Sequence, residues 1–92
     1  MLYNQTDLSE GFVVTPQNIK AWIEDNLSSS HVEIDGDGHH FEAIIVCPDF
    51  EGKSRIQRHQ MVYGALGDKM KSEIHALSMK TLTPSESESS EA

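Results

Sequence analysis

The chain has 92 residues, 37% hydrophobic and 24% charged, which suffices for one compact core and is too short for two. Its formal charge of -8 argues against a protein built mainly to coat nucleic acid, because phosphate neutralisation supplies most of such affinity. A single cysteine, Cys47, excludes an internal disulfide and a zinc site of paired cysteines, so any metal would rely on histidines, carboxylates or a partner's ligands.

Residues 1–14 show no sustained periodicity and are expected to form a flexible arm. "MLYNQTDLSEGF" lacks the basic start and apolar middle of a signal peptide, and no apolar run approaches the roughly 20 residues that span a bilayer. A cytoplasmic protein without membrane contact is expected. "TPQNIKAWIEDNL" then predicts a helix, with Thr15 as N-cap, Pro16 at the first helical position, and Ile19, Trp22, Ile23 and Leu27 on one stripe. "HVEID" alternates Val32 and Ile34 with acids, "GDG" marks a turn, and "HFEAIIVC" places Phe41, Ala43, Ile45 and Cys47 on one face, which predicts a hairpin.

"PDFEGK" breaks the sheet, and Ser54 caps a helical stretch in which Ile56, Val62, Tyr63, Leu66 and Met70 recur at helical spacings. Gly64 and Gly67 are expected to divide it into a short helix, a kink and a second short helix. "HALSMKTL" alternates as a last strand, ended by Pro84. The domain therefore spans 15–84, and "SESESSEA", 85–92, is expected to be an acidic disordered tail. The crossover after the second strand is long enough for the third strand to run parallel to a hairpin strand. The expectation is an α+β two-layer sandwich, helices on one face of a three-stranded mixed sheet, ordered helix, strand, strand, helix, helix, strand.

Several residues carry candidate chemistry. His75 opens the last strand, either as a packed histidine or as a rim imidazole facing solvent or a metal. His39 and His40 sit in a glycine-flanked turn beside Asp37; adjacent strand residues point to opposite faces, so they offer half a metal site at most. Cys47 reads as a buried strand residue, and the acid pairs of "EIDGD", "PDFEG" and "IEDN" as solvated surface. No nucleophile motif appears, so an enzyme is not expected. "GALG" has the G-x-x-G spacing of a KH loop, but Ala65 and Leu66 are apolar and Leu66 fits the core stripe. Lys53, Arg55, Arg58 and His59 form a basic run that suits phosphates, an acidic partner surface, or solvent alone.

Taken together, "GDG" followed by "HF", Phe50, Gly52 and Ser54 as "F-G-S", then "RHQ-VY" and "IHALS-K-TP" resemble the BolA-like family, and within it the IbaG branch, over roughly residues 16–84. The resemblance implies a KH-like fold of class II. It also implies partnership with a monothiol glutaredoxin, the two sharing a glutathione-containing 2Fe-2S cluster, with no cofactor on the isolated chain and a monomer or weak homodimer when alone. The family's C-terminal histidine ligand falls on His75. A second ligand comes from the hairpin loop, here His39 or His40, with Asp37 where some members carry cysteine. The alternative that the resemblance offers is a DNA-binding transcriptional regulator using the basic helix 53–59, with weak DNA binding.

Overall fold

A computed structural model describes residues 14–70 and 76–91. The first helix, α1, spans Pro16–Asn26, and its start is closed reciprocally: Thr15 Oγ1 accepts from Asn18 N–H and Asn18 Oδ1 accepts from Thr15 N–H, each at 3.1 Å. Ile19 and Ile23 are fully buried, and Trp22 and Leu27 pack beside them, as the stripe predicts.

Strand β1, His31–Gly36, pairs antiparallel with β2, Phe41–Val46, and β2 pairs parallel with β3, Leu77–Leu82, so β2 is central. The register sets Val32 opposite Ile45, Ile34 opposite Ala43, and Phe41 beside Leu77. Side chains on alternate residues of all three strands therefore share one face. That face carries the buried Val32, Phe41, Ala43, Ile45 and Leu77, and both long helices pack on it. Each fully buried Ile or Phe contributes roughly 1.5–3 kcal/mol relative to exposure. The opposite face, with Glu33, Glu42, Ile44 and Lys80, is open.

A 3-10 turn at Pro48–Phe50 buries Phe50 and starts the crossover that a parallel β2–β3 pair requires. The crossover helix α2, Arg55–Leu66, begins with a second capping box, Ser54 Oγ accepting from Gln57 N–H at 3.1 Å and Gln57 Oε1 from Ser54 N–H at 2.9 Å.

The structure corrects the sequence reading in three places. First, α2 runs straight through Gly64, whose missing side chain faces open space and so weakens the helix by propensity alone, about 1 kcal/mol. It stops at Gly67, where φ is 61° and the amide donates to Tyr63 O at 3.0 Å. "GALG" is thus a helix end with Leu66 buried, not a loop. Residues 67–70 form turns that bury Met70; the remainder of the expected second helix lies outside the described residues.

Second, Ile56 and Tyr63 do not belong to the core stripe: they are 70% and 41% exposed. The inward line runs through Val62 and Leu66, and at about 100° per residue Tyr63 and Ile56 fall roughly 80–100° away from its centre. Third, the tail expected to be disordered forms a helix, α3, over Pro84–Glu91. Thr83 Oγ1 accepts from Glu86 N–H at 3.2 Å and Glu86 Oε1 from Thr83 N–H at 2.9 Å, with Pro84 between them at the first helical position.

Candidate functional site

The hairpin loop between β1 and β2 is organised by one carboxylate. Asp37 Oδ1 accepts from the amides of His39 at 2.8 Å and His40 at 2.9 Å, while Asp37 N–H donates to His40 O at 3.2 Å. Those donors, His40 first and then His39, hold the Asp37 carboxyl below its ordinary range. Gly38 turns the chain at φ 93°. Gly36 is required for space: a Cβ there would meet His40 O at 2.5 Å and Phe41 Cδ1 at 2.6 Å. Both imidazoles are exposed as a result.

Because β2 and β3 are parallel and Phe41 stands beside Leu77, these two strands start at the same end of the sheet. His40 immediately precedes β2. His75, expected as a ligand two residues before Leu77, lies outside the described residues. Among the described residues no group of three His, Cys, Asp or Glu side chains could hold a metal ion. Cys47 is fully buried, and burial pushes its thiol up, which withholds it from metal or nucleophilic chemistry.

The basic run divides. Lys53 and Arg55 are exposed, and His59, half-buried, sets its ring edge-on to Tyr63 with centroids 6.5 Å apart. Arg58, expected among the partner-facing cations, is instead committed to the fold, with only 13% of its side chain exposed. Its Nε donates to Phe50 O at 3.1 Å and Lys53 O at 3.0 Å, and Nη1 donates to Thr81 O at 3.2 Å. Nη1 and Nη2 also grip Glu86, at 2.8 and 3.3 Å, and the guanidinium carbon lies 5.8 Å from the centre of the Phe50 ring. The hydrogen bond to Glu86 raises Arg58 above its ordinary range, and the same bond leads those lowering Glu86. One planar fork thus joins the 3-10 turn, the loop before α2, β3 and α3.

Sequence reasoning missed Lys80, which lines a groove with Lys53, Arg55 and His59 beside β3, and the exposed Ile56 and Tyr63 on α2. Helical phase measured from Val62 and Leu66, rather than from Ile56, would have found the latter pair.

The chain is a small α+β domain with a mixed sheet open on one face, exposed imidazoles in the hairpin loop and basic side chains beside β3. The chain matches the BolA-like protein family model over residues 14–86, and it belongs to that family. It is 41% identical over 69 residues to the acid stress protein IbaG of Escherichia coli K12, covering 74% of this chain and 82% of that protein. It is also 37% identical over 62 residues to the DNA-binding transcriptional regulator BolA of Haemophilus influenzae, covering 67% of this chain and 60% of that one. A solved BolA homologue from Coxiella burnetii is 58% identical, with a TM-score of 0.75 over 82% of this chain and 97% of its own. These relatives are named as stress proteins or regulators rather than enzymes. Among the described residues no helix is long and apolar enough to cross a membrane.

Proposed function

We propose that this chain is a non-enzymatic partner of a monothiol glutaredoxin, sharing with it a glutathione-containing 2Fe-2S cluster in iron-sulfur trafficking or in iron, redox and stress regulation. The observation that carries this reading is the parallel pairing that sets the first residues of β2 and β3, Phe41 and Leu77, side by side at one end of the sheet, with His39 and His40 exposed just before Phe41. The donor chemistry fits a cluster held jointly. Two loop imidazoles and His75 are nitrogen donors suited to iron, while the chain's only thiol is buried, so thiolates must come from the partner and glutathione.

Within this reading Asp37 keeps the loop short and ordered, so that an imidazole is presented without further ordering cost. His75 and one of His39 or His40 are the ligands of this chain. Bound, the cluster supplies one-electron chemistry, and histidine ligation raises its potential and makes it acid-labile. The test is size-exclusion chromatography of the chain with glutaredoxin, glutathione, iron and sulfide. A 1:1 complex containing two irons and lost without glutathione supports the proposal; a glutaredoxin homodimer that keeps its cluster while this chain elutes alone refutes it.

The exposed cations Lys53 and Arg55 with His59 favour a second reading, a DNA-binding regulator like the named Haemophilus relative. With Arg58 committed to the fold, two cations of the run, Lys53 and Arg55, remain to neutralise phosphates, giving a salt slope of roughly -2 on logarithmic axes. Binding that is absent at low salt removes this reading.

A further inference from the structure

The two edges of the sheet are finished differently. Along β1 the outward peptide groups are those of Val32, Ile34 and Gly36, and α1 seals the first of them: Glu24 Oε2 accepts from Val32 N–H at 3.0 Å, and Lys20 Nζ donates to Val32 O at 2.8 Å. Lys20 and Glu24 are themselves paired at 2.8 Å. A strand cannot add there without breaking this clasp. On β3, Leu82 O accepts from Cys47 N–H at 2.9 Å, which fixes the alternation: even residues face β2, and Leu77, Met79 and Thr81 face outward. Thr81 O is taken by Arg58, but among the described residues no strand pairs with this edge and none meets the outward N–H and C=O of Met79. Beside that edge lie the side chains of Lys53, Arg55, His59 and Lys80, none in an ion pair among the described residues.

We propose that the outer edge of β3, centred on Met79 and flanked by Lys53, Arg55, His59 and Lys80, takes an extended acidic peptide segment of a partner protein as a fourth strand. An open edge supplies alternating donors and acceptors that a peptide matches residue for residue. The cations supply the sign, in a molecule whose overall charge of -8 otherwise repels acids. The neighbourhood already accepts a carboxylate, since Glu86 of the same chain docks on Arg58 here. Nucleic acid fits less well: Glu86 and Glu51 act on the same patch, and phosphates cannot use the Met79 N–H and C=O together. With Thr81 O occupied, the free register admits about three residues, roughly 10 Å of strand. The inference is independent of the cluster proposal, and its test uses neither iron nor glutathione.

The experiment titrates the nitrogen-15-labelled full chain with a blocked peptide of alternating glutamate and valine. The same peptide N-methylated at alternate residues, and a single-stranded oligonucleotide, are titrated in parallel. The expected result is a shifted and exchange-protected Met79 amide with the first peptide, no such shift with the methylated one, and affinity reduced about tenfold or more in Lys53→Glu/Arg55→Glu. Equal binding of the methylated peptide, an unaffected double variant, tighter binding of the oligonucleotide at the same residues, or no response at Met79 would each overturn it.

Discussion

Arg58→Met tests whether Arg58 is a fastener rather than a contact residue. Methionine keeps an apolar stem over the Phe50 ring and removes every donor. The loss comprises three bonds to backbone carbonyls, at Phe50, Lys53 and Thr81, from a side chain that is 13% exposed. At about 1 kcal/mol net for each, the cost is about 3 kcal/mol. For a domain this size 1 kcal/mol moves the midpoint about 4–8 °C, so the melting temperature should fall by roughly 12–24 °C. The grip on Glu86 adds little, its carboxylate being 46% exposed and screened. Thermal and urea unfolding followed by far-ultraviolet circular dichroism measure the loss, with Arg58→Lys as control. Lysine keeps the charge but cannot reach three carbonyls with one planar fork, so it should recover only a minor part. A loss below about 1 kcal/mol for Arg58→Met, or full recovery with lysine, would refute the fastening role.

Three further outcomes follow from individual contacts. Glu24→Gln should cost about 1–2 kcal/mol in urea unfolding, since the neutral amide holds Lys20 and Val32 N–H less well. Lys20 holds the folded Glu24 pKa below its unfolded value, so this stability is present above the ordinary carboxylate range and lost as pH falls through the lowered value; the variant should flatten the acid limb of the stability curve. Gly36→Ala should destabilise by about 1–3 kcal/mol and shift the His40 and Phe41 amide resonances, because the added carbon has no room. Cys47, fully buried with its thiol pushed up, should resist a thiol reagent until denaturant unfolds the chain; rapid labelling of the native protein would contradict its burial.

Local signals were legible wherever neighbouring residues decide the structure. Thr15 with Pro16, and Ser54, marked two helix starts that proved to be capping boxes, and the alternation of Phe41, Ala43 and Ile45 marked the buried face of β2. The third helix start was equally legible in Thr83-Pro84-Ser85-Glu86, but the serines and glutamates around it read as a solvated tail. Arg58 was not legible at all. Its partners at residues 50, 53, 81 and 86 converge only after β3 has crossed beside β2, so composition placed it among the free cations. The contrast between the two sheet edges was hidden for the same reason, because strand order and register decide which peptide groups face outward.

The most direct test of cluster sharing is visible circular dichroism of a reconstituted 2Fe-2S glutaredoxin with glutathione, titrated with the wild-type chain and with its His75→Ala and His39→Ala/His40→Ala variants. The account predicts a new spectrum saturating at one chain per glutaredoxin, lost or altered with His75→Ala and changed by the loop variant, whose own fold is checked by its far-ultraviolet spectrum. A spectrum that stays that of the glutaredoxin homodimer when wild-type chain is added would contradict the account.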